Sequence, residues 1–234
     1  MDVLRFAAAP ALALSILSPS ASPQLLPSAV HPGPHANDGW GAEVAMLGDV
    51  NADGVDDYGC ASSTASVEIS GAVFPGAGQA RVYSGADGTQ LHGWQGDITS
   101  TTFFGNSICS AGDVDGDGHE DVLVGAPFDS EFGVSAGSVT LFSGATGLAL
   151  RKTSTGKPFS LFGQSLALLT DLDGDGVPEF AASSPHENTA TGQHGFYSPG
   201  VVRVLNGVTG SVAMVFDGAA PPVFSPLLPD LVYQ

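Results

Sequence analysis

Five acidic residues stand within the nine positions from Asp113 to Asp121. The carboxylates of Asp113, Asp115, Asp117 and Asp121 can converge on one point only if the chain loops around it, and two glycines allow that curl. So many negative charges repel one another unless a cation lies between them. Calcium accepts about six to eight oxygen ligands in a flexible geometry, so the stretch predicts a calcium-binding loop.

The acidic loop occurs three times, at intervals of about sixty residues. The first copy runs from Asp49 to Asp57 and the third from Asp171 to Glu179. All three fit the pattern D-x-[DN]-x-D-G-x-x-[DE]. One copy alone could be a solvated acidic turn, whereas three copies in the same context favour metal binding and predict up to three Ca²⁺ ions.

The EF-hand is the main alternative for such a pattern. Its loop needs a bidentate Glu at the twelfth position and a helix on each side. The twelfth positions here are Cys60, Val124 and Ala182, and none of these side chains can ligate calcium. The flanking segments also lack a helical pattern, so the loops belong to another scaffold.

Short apolar segments surround each loop in the same order, and they predict the elements that position it. Each repeat reads as an aromatic-glycine pair, a strand, the loop, a second strand, a variable stretch, a third strand, a two-glycine turn and a fourth strand. In repeat two the predicted strands are Asn106–Ala111, Val122–Ala126, Ser138–Ser143 and Leu148–Lys152. Four short strands per repeat are typical of a β-propeller blade. The predicted fold is all-β, with three blades at 39–96, 103–156 and 161–216.

Repeat two carries the clearest family resemblance. Phe104-Gly105, the acidic loop and Gly125-Ala126-Pro127 together resemble the FG-GAP repeat of the integrin α-chain N-terminal β-propeller. Repeats one and three depart from the last motif, with Ala61-Ser62-Ser63 and Ser183-Ser184-Pro185 at the matching places. The resemblance covers residues 39–216 and implies calcium loops on one rim of a propeller, with a role in adhesion or ligand binding rather than catalysis.

The resemblance also implies which residues bind calcium. The ligands would be the side chains at loop positions one, three, five and nine and the carbonyl oxygen at position seven. They are Asp49, Asn51, Asp53, Val55 and Asp57; Asp113, Asp115, Asp117, His119 and Asp121; and Asp171, Asp173, Asp175, Val177 and Glu179. Loop two has Asp at all four side-chain positions, so it is expected to bind most tightly.

The number of blades departs from the family pattern, because closed propellers have about four to eight blades. A fourth repeat begins at Phe216-Asp217-Gly218 but has no acidic loop, so residues 217–234 are predicted to be a degenerate fourth repeat or a tail. Three explanations stay open: a truncated piece, which is favoured, a tail that caps an open stack, or further blades from another chain.

The N-terminal residues predict export. Arg5 precedes a short apolar run from Phe6 to Leu17, and small residues follow, so residues 1–21 are predicted to be a signal peptide. That run is too short to span a bilayer, and no membrane span is predicted elsewhere. Residues 22–38 are rich in Pro, Ser and His and are predicted to be a linker. The protein is expected to be secreted, either extracellular or periplasmic.

The charge composition excludes one class of partner. Six basic and 24 acidic residues give a net charge of −18, and so few basic residues cannot form a phosphate-binding surface. No nucleic-acid partner is therefore expected. An extracellular setting would allow one disulfide between Cys60 and Cys109. Both occupy strand positions where the other repeats have Ala or Val, which favours two buried free thiols.

No catalytic residues are predicted. The sequence has no C-x-x-C pair, and His186-Glu187 lacks the second histidine of a zinc-protease motif, because Ala190 stands there. One alternative is the non-catalytic propeller portion of, or a truncated, extracellular hydrolase or polysaccharide lyase, since related propellers occur in such enzymes.

The loops between the second and third strands are expected to bind a protein or carbohydrate partner. They span residues 64–77, 128–136 and 186–199, vary in length and show no common pattern. In a four-stranded meander they lie on the rim opposite the acidic loops. Their aromatic and imidazole groups are Phe74, Phe128, Phe132, His194, Phe196 and Tyr197. Aromatic anchors on variable loops over a rigid sheet are typical of binding surfaces.

Overall fold

The computed structural model describes residues 31–33, 35–187 and 198–218 and the strand at 223–224. Its strands are β1 Glu43–Gly48, β2 Asp57–Ser62, β3 Val67–Ile69, β4 Ala72–Phe74, β5 Gln79–Tyr83, β6 Gln90–Gln95, β7 Ser107–Gly112, β8 Asp121–Ala126, β9 Ser138–Phe142, β10 Ala149–Thr153, β11 Leu166–Leu168, β12 Phe180–Ser184, β13 Val201–Leu205, β14 Val212–Asp217 and β15 Val223–Phe224. The described residues contain no helix, and therefore none that could cross a membrane.

The strands form three antiparallel sheets of the predicted blade type. The sheet orders are β1-β2-β5-β6, β7-β8-β9-β10 and β11-β12-β13-β14, and β7 contacts both β1 and β11 as the innermost strand of a middle blade. The prediction of an all-β fold built from four-stranded propeller blades is confirmed. In blade two each strand begins and ends within one residue of its predicted bounds, because glycines and the acidic loop delimit every strand.

Two additions to the blades differ from the sequence expectation. The variable stretch of blade one contains a small hairpin of β3 and β4, and β15 joins blade three as a fifth strand beside β14. Phe224 would be the aromatic of a fourth repeat, but it pairs with Met214 in the third sheet. Residues 219–222 and 225–234 lie outside the described part of the chain.

The core lies between the blades. One buried cluster joins blades one and two and includes Leu47, Val82, Phe104, Ile108 and Val124. A second joins blades two and three and includes Leu123, Leu141, Phe162, Phe180 and Leu205. Strands β8 and β9 of the middle blade therefore contribute alternate side chains to the two interfaces, which is the reason that they read as nearly continuous apolar runs.

In blades two and three the aromatic-glycine pair packs closely against the preceding blade. Gly105 has φ +79°, and a Cβ there would lie 2.6 Å from the carbonyl oxygen of Gln79 in blade one. Gly163 has φ +86° and approaches Ser138 of blade two in the same way. Only glycine fits such a conformation at such close range, so the pair serves packing between blades.

The described end of the predicted linker is packed on blade one. The ring of His31 stacks on Tyr83 with centroids 3.9 Å apart, and its Nε2 lies 2.9 Å from the hydroxyl of Tyr58. Asp38 is buried and accepts a hydrogen bond from the hydroxyl of Ser66. The rings of Tyr58 and Tyr83 supply the apolar surface that holds this segment. The predicted signal peptide lies outside the described residues.

The two thiols are free, as predicted, but half-buried rather than fully buried. Cys60 pairs with Val44 across blade one, and Cys109 pairs with Leu123 across blade two. Burial raises the pKa of the Cys109 thiol to about 12, so this group is unreactive at neutral pH.

Candidate metal sites

The three acidic loops follow the innermost strands and lie on one rim, together with the hairpin turns between the third and fourth strands. They connect β1 to β2, β7 to β8 and β11 to β12. In loop two a bulge at the end of β7 and a left-handed Gly112 (φ +74°) turn the chain out of the sheet just before Asp113. Acidic loop two is therefore held at a fixed place at the end of β7.

The first Asp of each loop organises the loop backbone. Asp113 accepts hydrogen bonds from the amides of Gly116, Asp117 and Gly118 at 2.8–3.0 Å. The first Asp of loops one and three makes equivalent bonds, which end at Gly54 and Gly176. These bonds wind the loop around the acidic side chains.

Two of the loops bring several carboxylates together. Asp171, Asp173, Asp175 and Glu179 each place a carboxylate oxygen within 4.8 Å of the others, and the first three are exposed. In loop two Asp113, Asp115 and Asp117 form the corresponding group. Both groups consist of hard oxygen donors without a basic side chain, a donor set that fits Ca²⁺ or another hard divalent cation.

Loop one differs from the other two at its third position. Asn51 stands there, and its Nδ2 donates to Asp53 Oδ2 at 2.9 Å. Within the described residues no group of three acids forms in this loop. Loop one therefore has less negative charge to offer a cation.

The acids at position nine are fully buried, and they tie each loop to the adjacent hairpin. Asp121 accepts bonds from the amides of Val114 in the loop and Gly144 in the hairpin, at 3.0 and 2.9 Å. Burial raises its pKa to about 6, and the nearby Asp115 and Asp117 add to the rise. Asp57 bonds to its own loop and to Gly85 in the same way. The sequence predicted a ligand role for these acids, and the structure adds an architectural one.

Position seven contributes a link between blades that the sequence did not reveal. The carbonyl groups of Val55, His119 and Val177 remain predicted ligands. The His119 side chain points to the neighbouring blade, where its Nδ1 lies 2.8 Å from the carbonyl oxygen of Val50. Nothing in a single sequence indicates this contact, because it joins residues of different repeats.

The loops on the opposite rim share a pattern, so the expectation that they have none is wrong. In each loop one backbone hydrogen bond joins the two ends. The donor amides are those of Gly78, Gly137 and Gly200, and the acceptor carbonyl groups are those of Ala65, Asp129 and Glu187, respectively. Asp129 is buried and accepts from Ser138 Oγ and Lys152 Nζ, both at 2.6 Å. Glu187 is buried and forms ion pairs with Arg203 and Lys157. An acid two residues after Pro127 and Pro185 was the available sequence signal.

Several aromatic rings are exposed on this rim of blade two. Phe128, Phe132 and Phe159 are 39%, 45% and 53% exposed, and the ring of Phe103 lies 4.8 Å from that of Phe128. Phe74 is half-buried. His194, Phe196 and Tyr197 lie outside the described residues.

A G-x-S-x-G pattern occurs once, at Gly133–Gly137, and it is not a hydrolase elbow. The hydrolase motif places its serine at a strand-to-helix turn beside a histidine. Ser135 lies in the β8–β9 loop, where its amide donates to Ser130 Oγ, and no described histidine contacts it. The motif therefore gives no support to catalysis.

Comparison with known proteins identifies FG-GAP repeats in this chain. The FG-GAP repeat model matches residues 104–142 and 162–205. Integrin alpha-6 of Gallus gallus is 30% identical over 176 residues, which is 73% of this chain and 15% of that protein. Human integrin alpha-7 is 28% identical over 180 residues, covering 74% of this chain and 14% of that protein. The chain thus spans about a seventh of the length of these relatives.

Solved structures give a more distant likeness. Rhamnogalacturonan lyase YesW matches 75% of this chain and 34% of its own with 18% identity and a TM-score of 0.46. The Bacillus licheniformis rhamnogalacturonan lyase PL11 matches the same shares with 18% identity and a TM-score of 0.44. Likeness of this degree carries no argument about activity.

Proposed function

We propose that this FG-GAP repeat protein is an extracellular, calcium-stabilised module that binds a protein or carbohydrate partner and has no catalytic activity of its own. The observation that carries the proposal is the convergence of oxygen-only acidic groups in loops two and three on one rim. Integrin α chains among its relatives support an adhesive role. Further blades from another chain remain part of the proposed set of partners.

Calcium would act here as a structural cross-link. The side chains at positions one, three, five and nine of each loop would hold the ion, whose charge would offset part of their mutual repulsion. Asp113 and Asp171 already orient the loop backbone, and Asp121 and Glu179 connect the loop to the adjacent hairpin. Binding at the rim would therefore stabilise the whole blade rather than the loop alone.

Calcium is expected to raise the melting temperature. Extracellular modules bind calcium with Kd of about 10⁻⁴–10⁻³ M. At ten times Kd each occupied site adds about 1.4 kcal/mol, which corresponds to a few degrees for a chain of this size. Differential scanning calorimetry with calcium and with EDTA measures the change.

Two variants complete that experiment. Asp117→Asn should reduce the response to calcium, because it removes one converging charge from loop two. Glu68→Gln makes the same change of charge on the exposed β3, and its response should equal that of the wild type. A wild-type melting temperature that is the same in calcium and in EDTA would rule out the stabilising role.

The proposed docking surface is the rim opposite the acidic loops, and its exposed rings are Phe128, Phe132 and Phe159. Two buried acids anchor the neighbouring loops: Asp129, and Glu187 through its ion pairs with Arg203 and Lys157. Rigid support beneath exposed aromatic groups is what a binding surface requires, because few side chains are then ordered on association.

The double variant with Ser in place of both Phe128 and Phe132 is expected to bind at least tenfold more weakly, because hot-spot aromatic groups each contribute about 2 kcal/mol or more. Labelled protein on glycan and peptide arrays measures binding, and melting temperature checks the fold. Leu148→Ser is the matched control, since Leu148 is 68% exposed on the other rim. Retained array signals in the double variant, or signals lost only in the control, would place the partner elsewhere.

A further inference from the structure

We infer that Asn206 competes with the cation in loop three and cross-links that loop when no cation is bound. This inference rests on the calcium function proposed above. Asn206 precedes the first glycine of the β13–β14 turn and is 6% exposed. Its Nδ2 donates to Asp173 Oδ2 at 2.8 Å and to Asp175 Oδ2 at 3.0 Å. A weaker contact of 3.4 Å reaches Glu179 Oε1.

The orientation of the Asn206 amide is fixed from both sides. Its Oδ1 accepts hydrogen bonds from the amide and the hydroxyl of Thr209, both at 2.8 Å. A backbone amide can only donate, and a carboxylate can only accept. A rotated side chain would therefore break the bonds at both ends, so the NH₂ group is held towards the acids.

The amide occupies the oxygens that a cation would use. Within loop three, Asp173 Oδ1 and Asp175 Oδ1 already accept bonds from the amides of Asp175 and Val177. Their Oδ2 atoms both accept from the Asn206 NH₂ group and so lie close to one point. A cation that binds these oxygens must displace the NH₂ group, whose partial positive charge it also repels.

Among the described residues, loop two has no such competitor. Ser143 takes the place of Asn206 there, and its Oγ accepts from the amide of Thr146 at 3.2 Å. Serine thus keeps the turn contact that Asn206 makes to Thr209, but it has no NH₂ group to reach the acids. Loop one has Ser84 at this place. Blade three therefore differs from both other blades in one side chain that faces the predicted metal site.

Asn206→Ser is expected to tighten calcium binding at loop three by about tenfold. The exchange removes hydrogen bonds to charged groups that calcium must otherwise break, and one such bond is worth about a factor of ten or more. The same change should lower the melting temperature in EDTA by about 2–4 °C, because Asp173, Asp175 and Glu179 lose their cross-link. Ser143→Asn in blade two should have the opposite effects on loop two.

Two-dimensional ¹H–¹⁵N NMR during a CaCl₂ titration reads each loop separately. The amides of Gly54, Gly118 and Gly176 each donate to the first Asp of their own loop. The Gly176 midpoint should move to lower calcium in Asn206→Ser, and the Gly118 midpoint should move to higher calcium in Ser143→Asn. Each variant should leave the other loop at its wild-type midpoint.

The outcomes separate this inference from the proposed function. An unchanged or higher Gly176 midpoint in Asn206→Ser would overturn the competition, and an unchanged melting temperature in EDTA would overturn the cross-link. If calcium moves none of the three glycine signals, the proposed calcium function fails and the competition fails with it. The melting temperature in EDTA still decides the cross-link in that case.

Discussion

Replacing Arg203 with Met is expected to lower the free energy of unfolding by about 3 kcal/mol, because it leaves a buried carboxylate without its main partner. Arg203 Nη1 and Nη2 lie 2.7 and 2.6 Å from the two oxygens of Glu187, which has no exposed surface. Lys157 remains at 2.5 Å and limits the loss to the lower end of the usual range. Urea denaturation at pH 7 measures the change.

Arg81→Met is the matched control. Arg81 occupies the same strand position in blade one, but it contacts Gln79 Oε1 at 3.2 Å and the ring of Trp40 instead of a buried acid. Its loss should be below about 1 kcal/mol, the scale of an exposed cation–π contact. Equal losses in the two variants would show that the ion pair with Glu187 has no special weight.

The difference between wild type and Arg203→Met should shrink in acid. Burial alone would raise the pKa of Glu187, but bonds from Arg203 and Lys157 outweigh it and hold that pKa below its ordinary value of 4.5. In the wild type the pair stabilises the fold above pH 4.5, and this contribution is lost as pH falls through the lower folded pKa. In the variant, protonation relieves the buried charge of Glu187, which Lys157 alone compensates only in part. A constant difference from pH 7 to pH 3 would contradict this assignment.

Much of the blade could be predicted from the sequence because its boundaries have local causes. Gly144 and Gly147 mark the ends of a two-glycine turn, and Gly116 and Gly118 allow the curl of loop two. Strand bounds follow from these positions. The β3–β4 hairpin was also within reach, because Ser70 and Gly71 form a two-residue turn with φ of 53° and 83°. The variable length of that stretch concealed the signal.

The contacts that distinguish one site from another could not be predicted. Asn206 reaches acids about thirty residues away along the chain, and His119 reaches a carbonyl group in the preceding blade. Such contacts depend on how the blades and hairpins pack, which local spacing does not specify. For the same reason Asp121 was predicted as a ligand without its bond to the Gly144 amide.

Phe162→Ala is expected to remove about 3–5 kcal/mol of stability, the usual loss for a buried phenylalanine. Phe162 is 1% exposed and packs with Leu123, Leu141 and Phe180 between blades two and three. Phe159→Ala is the control, because that ring is 53% exposed three residues earlier in the same connection. Its loss should be below about 0.5 kcal/mol, as for most surface substitutions.

Phe162→Ala should also allow blade three to unfold separately from blades one and two. Stability in repeat proteins is close to a sum of repeat and nearest-neighbour interface terms, so weakening one interface lets the blade beyond it unfold first. Neither tryptophan contacts blade three in the described structure: the Arg81 guanidinium lies over the Trp40 ring in blade one, and Trp94 stacks on Phe142 of blade two at 4.3 Å. In Phe162→Ala, the unfolding transition followed by far-UV circular dichroism should therefore begin at a lower urea concentration than the transition followed by tryptophan fluorescence. Coincident transitions at the wild-type midpoint would show that Phe162 does not hold the two blades together.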